Sequence, residues 1–181
     1  MLRWGGLMSN YMICFSKNGA ALGRKILTAA PQENSGSAAP AEACASVSSA
    51  SSAGWELTEC FGTVHESLAD WTRRTFQPGN NLLFIGAAGI AVRAIAPYVR
   101  EKQSDPAVVV MDEKANWCIP ILSGHLGGAN LLANKLAKMT GAQAAITTAT
   151  DVRGVWAVDS WAKQEGLTVV DPSGIKEISA G

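Results

Sequence analysis

"NLLFIGAAGIAVR", residues 81–93, decides the fold. From Leu82 to Ile85 the side chains are apolar without polar alternation, as expected of a strand buried on both faces of a parallel sheet. The run ends at Gly86. Directly after it, "GIAVRAIAPYVREK" (89–102) places Ile90, Arg93/Ala94 and Pro97 at helical spacing, with Pro97 ending or kinking the helix. A buried strand that passes through a small-residue turn into a helix is one unit of a layered α/β domain.

The same unit recurs outward from this stretch. Upstream, "YMICFS" (11–16) reads as a strand and leads through "KNG" into a helix, "AALGRKILTAA" (20–30). "WELTECF" (55–61) reads as a short strand, and "ESLADWTRRTF" (66–76) as an amphipathic helix with Leu68, Trp71 and Thr75 on one face. Downstream, "PAVVVMD" (106–112) and "NWCIPIL" (116–122) are strands separated only by "EKAN". That link suits a hairpin-like reversal, so the mainly parallel sheet has room for one antiparallel pair. A helix over 130–139 follows, with Lys138 in its last turn and Gly141 as its C-cap. "AAITTAT" (144–150), "VWAVDSWAKQEG" (155–166) and "LTVVD" (167–171) continue the alternation as strand, helix and strand.

The expected organisation is an extension over 1–10, an α/β domain over 11–150, and a following segment over 151–181 that stops early. Residues 32–54 are Ala/Ser-rich with almost no large apolar side chain. Such a segment cannot bury enough surface to offset its ordering entropy and reads as a flexible insertion.

Composition narrows the function. Hydrophobic residues make up 48% of the chain and charged residues 17%, with a net charge near zero. This describes a globular protein with a substantial core, and argues against a nucleic-acid surface or a polybasic membrane patch. Cys14, Cys44, Cys60 and Cys118 show no CxxC and read as reduced thiols of a cytoplasmic protein, Cys14 and Cys118 within the core. The N-terminal apolar stretch is interrupted by Gly5, Gly6, Ser9 and Asn10, unlike a signal peptide. The charge-poor stretch 115–134 is broken by Pro120, Gly124, Gly127 and Gly128 and cannot span a membrane. His65 and His125 lack ligand spacing, so no protein-bound metal is expected.

Four strand ends carry polar or glycine-rich turns: "SKNG", "GAAG", "SGHLGGAN" and "TTATD". In an open α/β sheet ligands collect at the carboxyl ends of strands, and if these strands are parallel the four turns converge on one rim. "GAAGIAVR" sets Gly86 and Gly89 around a turn with Arg93 one helical turn inside; tight packing and a solvated charge explain them equally well. "SGHLGGAN" is more specific. Gly127 and Gly128 allow close backbone approach, the following helix favours an anion, and His125 suits proton transfer near neutrality. The competing reading is a loop histidine capping the next helix. Thr148, Thr150 or Asp151 can contact a ligand or cap the next helix, and Asp112 with Glu113 reads as a carboxylate pair or as turn residues.

From "LLFIGAAGIAVRAIAPYVREKQSDPAVVVMDEKANWCIPILSGHLGGANLLANKLA" through "ITTATDVRGVWAVD", the chain resembles the cobalt-precorrin-5A hydrolases of cobalamin biosynthesis, with "SKNGAALGRK" consistent near the start. The resemblance implies an enzyme of the early-cobalt route to vitamin B12. Such an enzyme opens the ring-contraction lactone of a cobalt-containing tetrapyrrole and releases acetaldehyde. Cobalt arrives within the substrate and no cofactor is implied. Carried over residue by residue, the resemblance marks Lys17, Asn18 and Gly19, then Gly86, Gly89 and Arg93. It also marks Ser123, Gly124, His125, Gly127, Gly128 and Asn130, then Thr147, Thr148 and Asp151. The expectation is His125 as acid/base, Asp112 or Asp151 as its supporting carboxylate, Gly127 and Gly128 amides as anion donors, and Arg93 and Lys17 on the acidic arms of the macrocycle. Family members continue into a C-terminal domain, so a truncated or split enzyme needing a second polypeptide is also expected. Two other classes compete: a non-catalytic tetrapyrrole-binding module, and an unrelated α/β domain binding a phosphorylated small molecule.

Overall fold

A computed structural model describes residues 9–29, 54–62, 66–125 and 127–148. The elements within them are β1 (Asn10–Cys14), α1 (Lys17–Ala29), β2 (Trp55–Glu59), α2 (Leu68–Thr75), β3 (Asn81–Ile85), α3 (Ala88–Ile95), β4 (Ala107–Met111), β5 (Trp117–Leu122), α4 (Ala129–Thr140) and β6 (Gln143–Ala144). They form a six-stranded sheet in the order β2-β1-β3-β4-β5-β6. Residues 1–8 of the expected extension 1–10 and 32–53 of the expected insertion 32–54, together with His65, Thr150 and Asp151 and the helix and strand expected beyond 151, lie outside the described residues.

Strand periodicity builds two cores. Met12, Cys14, Leu83, Ile85, Val109, Met111 and Cys118 face α1 and α4, meeting Ala20, Ile26, Ala133 and Leu136. Ile13, Leu82, Phe84, Val108 and Val110 face the other way, onto Trp71 and Phe76 and onto Ala91 and Ile95 of α3. Alternate residues of one strand thus point to opposite cores, and β3 and β4 are buried almost throughout. In α3 the buried stripe is Ala91 and Ile95, while Arg93 is exposed. The expected register was one residue off because Ile90 faces a cleft in the first turn.

Strands β1 to β4 are parallel. The β4–β5 pair is antiparallel, with a bulge between Val108 and Val109. The five residues between Met111 and Trp117 are far fewer than a parallel crossover needs. Strand β6 pairs in parallel with β5, so both run against the other four. That reversal decides where the four turns go.

Candidate functional site

Because β5 and β6 are reversed, the polar turns do not share a rim. "SKNG" and "GAAG" follow β1 and β3 at one end of the sheet, beside the β4–β5 hairpin. "SGHLGGAN" and Thr147–Thr148 follow β5 and β6 at the other end, beside the start of β4. A five-residue strand separates the two ends, on the order of 15 Å. The single rim is therefore replaced by a cleft rim and a histidine rim.

The cleft rim lies where the strand order changes direction between β1 and β3, the usual ligand position in such sheets. A cleft of about 370 Å³ there is lined by Phe15, Ser16, Ile85, Gly86, Ala87, Ile90, Asp112 and Glu113. Ser16 caps α1, its Oγ accepting from the Gly19 N–H at 3.1 Å, and the same hydroxyl donates to Glu113 Oε2. A carboxylate from the hairpin thus already occupies the entry of α1. In the sequence Glu113 reads with Asp112 as a carboxylate pair or as turn residues, and Ser16 stands only within the "SKNG" turn, so their mutual bond is not anticipated; the serine-to-glycine spacing is the available signal for the cap.

Expected ligand residues on this rim have structural duties. Gly19 is buried, and a Cβ on it would lie 3.1 Å from Cys14 Cβ and 3.3 Å from Ile85 Cγ2, so it sets the approach of α1 to the sheet. A Cβ on Gly86 would meet the Phe15 ring at 2.9 Å. Lys17, Asn18 and Gly89 are exposed, and Arg93 leans back to the Gly89 carbonyl at 3.5 Å. Asp112 braces the hairpin. Its Oδ1 accepts from Lys114 N at 3.0 Å and Asn116 Nδ2 at 3.1 Å, and its Oδ2 accepts from Trp117 N at 2.7 Å. Standing at the opposite end of the sheet from His125, Asp112 is not brought into position as its supporting carboxylate.

The histidine rim is built from a tightly folded loop. Ser123 has φ +56°, a left-handed conformation that costs a non-glycine residue about 1–3 kcal/mol. Its Oγ donates to the Asp105 carbonyl at 3.0 Å. Asp105, 7% exposed and not anticipated from sequence, accepts the Arg100 N–H on both carboxylate oxygens at 3.1 Å. Gly127 must be glycine, since a Cβ would sit 2.2 Å from Ser123 Cβ and 2.7 Å from its carbonyl oxygen. Gly128 enters α4 at φ +85°.

Folded this way, the loop uses donors expected to face an anion. Gly128 N donates to His125 O at 3.0 Å, Ala129 N to Ser123 O at 3.1 Å, and Asn130 N to Gly124 O at 3.0 Å. The Gly128 amide is thus held within the loop. Asn130, 6% exposed, also donates from Nδ2 to Thr148 Oγ1 at 2.9 Å, tying the loop to the segment after β6. Gly124, His125 and Gly127 are half-buried, while Thr147 is exposed. The structure therefore brings together Ser123, Gly124, His125, Gly127, Gly128, Asn130 and Thr148. It leaves Lys17, Asn18, Gly19, Gly86, Gly89, Arg93 and Asp112 on the far rim.

The fold and its two rims define a mainly parallel three-layer α/β domain with a histidine-bearing strand-to-helix loop. Residues 70–151 match the family model described as cobalamin synthesis G N-terminal. The chain is 52% identical over 103 residues to a cobalt-precorrin-5A hydrolase from Salmonella typhimurium, covering 57% of this chain and 29% of that one. It is 40% identical over 105 residues to a cobalt-precorrin-5A hydrolase from Priestia megaterium, covering 58% and 28%. The chain therefore spans under a third of the length of these relatives. A crystal structure of a cobalamin biosynthesis protein G homolog from Sulfolobus solfataricus shares the fold at a TM-score of 0.50 and 21% identity, over 95% of this chain and 45% of that one. Among the described residues no helix is long and apolar enough to cross a membrane, and no group of three or more His, Cys, Asp or Glu side chains is placed to hold a metal ion.

Proposed function

We propose that this chain supplies the N-terminal, histidine-bearing part of a cytoplasmic cobalt-precorrin-5A hydrolase of cobalamin biosynthesis. The observation that carries the reading is the family match over 70–151, which contains the whole Ser123–Thr148 rim. The substrate is a cobalt-containing tetrapyrrole; the metal enters with it, and the reaction needs water but no further cofactor.

In the proposed reaction, water adds to the lactone carbonyl, giving a carboxylic acid and a freed hydroxyl. The hydroxyl loses its proton and becomes the carbonyl of acetaldehyde as its carbon–carbon bond to the macrocycle breaks. The electron pair stays on the ring carbon, which takes up a proton. His125 is the acid/base of this sequence, and the hydrogen bonds that hold both flanks of its loop favour a fixed geometry for proton transfer. Lys17 and Arg93 stand on the other rim and have no part in it, whereas Asp151 keeps its proposed role as supporting carboxylate.

The test is acetaldehyde release from cobalt-precorrin-5A. The chain should release it, alone or joined by the remaining length of its relatives, and His125→Ala should lower kcat by about 100-fold or more. Release by His125→Ala at the parent rate removes His125 from the chemistry. The competing reading is a tetrapyrrole-binding module without turnover. Binding of the macrocycle with no acetaldehyde under either condition would select it.

A further inference from the structure

We propose that Asn130 and Thr148 are positioning residues that hold the His125 loop, rather than contacts to substrate. This rests on the reading of His125 given above. Asn130 is almost fully buried at the start of α4, where its two nitrogens act on different segments. The backbone N–H donates to the Gly124 carbonyl, one residue before His125, and the side-chain Nδ2 donates to Thr148 Oγ1. The amide also packs against the loop: a Cβ on Gly124 would lie 2.8 Å from Asn130 Oδ1.

A loop with a left-handed serine persists only where its surroundings over-determine it. On one flank Ser123 is held by the Asp105 carbonyl, two residues before β4. On the other, Asn130 ties Gly124 to Thr148 beyond β6. His125 lies between these anchors. Release of the Thr148 end frees the loop to relax, and a displacement of about 1 Å is enough to cost a large part of a proton-transfer rate.

The experiment compares Thr148→Val, which keeps the side-chain shape and removes the acceptor oxygen, with Thr148→Ser, which retains it. The first readout needs no substrate: the imidazole cross-peaks of the 181-residue chain, assigned with His65→Gln. The His125 peak should move or broaden in Thr148→Val and return to its parent position in Thr148→Ser, while the His65 peak stays fixed. Asn130→Ala should reproduce the Thr148→Val effect on His125. An unchanged His125 peak in Thr148→Val, or no rescue by serine, overturns the proposal. The second readout is acetaldehyde release by a protein that turns over. Thr148→Val should lower kcat about tenfold with KM nearly constant. A raised KM at constant kcat makes Thr148 a substrate contact instead. Absence of turnover in every variant counts against the proposed function alone, because the cross-peaks still decide the clamp.

Discussion

The two ends of the sheet separate favoured topology from detailed backbone specification. The cleft rim sits at the topological switch point, with two helix entries and an open space of about 370 Å³. Yet its glycines at 19 and 86 serve packing, and its carboxylates hold the serine that caps a helix and brace a hairpin. The histidine rim lacks the favoured topology but holds a strained serine, a glycine with no room for a methyl group and a buried asparagine in and beside the loop that carries His125. The comparison teaches that the strand-end rule names a location, while the cost built into the backbone marks which location is specified in detail.

The largest expected contrast is between two glycines. Gly127→Ala forces a Cβ against the Ser123 backbone and should destabilise the domain by about 3 kcal/mol in urea unfolding, with loss of any acetaldehyde release. Gly89→Ala on the exposed first turn of α3 meets only the flexible Arg93 guanidinium, and should be neutral or more stable by about 0.5 kcal/mol. Equal effects would erase the distinction between the rims. Next comes Asp112→Ala, which strips three hydrogen bonds from the hairpin and should cost about 2 kcal/mol in the same unfolding measurement, while leaving tetrapyrrole binding in place. Lost binding with intact stability would return Asp112 to the functional site.

A smaller pair dissects the strain itself. Ser123→Ala keeps the left-handed backbone and loses the bond to Asp105, costing about 1 kcal/mol by thermal unfolding. Ser123→Gly loses the same bond but relieves the backbone, and should fall within about 0.5 kcal/mol of the parent. The smallest effect belongs to the core between the rims. Burial pushes the Cys14 thiol from 9.0 to about 11 and the Cys118 thiol to about 12. Both bind their protons more tightly folded than unfolded. Their contribution is therefore complete below pH 9 and is lost as the pH rises through 9 towards 11 and 12. Replacing both by alanine should flatten the alkaline fall in stability, and an unchanged slope would show that other groups cause it.

Much of this fold was legible in residues 81–122, because apolar runs of strand length separated by short turns leave few arrangements. Beyond that range Gly141 was also legible: it ends α4 at φ +80° with its N–H on the Ala137 carbonyl. The short "EKAN" link also announced the antiparallel pair. What did not follow directly was its consequence two elements later, since one reversed strand carries every subsequent parallel partner to the opposite rim. Site residues were harder to read for a related reason. The duties of Asp105, Ser16 and Glu113 depend on partners 18 and 97 residues away in sequence. Nor does composition disclose that the amides of Gly128, Ala129 and Asn130 turn inward.

The most direct measurement is a footprint of the macrocycle on the amide spectrum of the isotopically labelled chain. On addition of a cobalt tetrapyrrole, shifts should concentrate on Ser123–Asn130 and Thr147–Thr148 and leave Ser16–Gly19 and Gly86–Arg93 unchanged. Shifts confined to Ser16–Gly19 and Gly86–Arg93 would place the ligand in the cleft and contradict the assignment of function to the His125 rim.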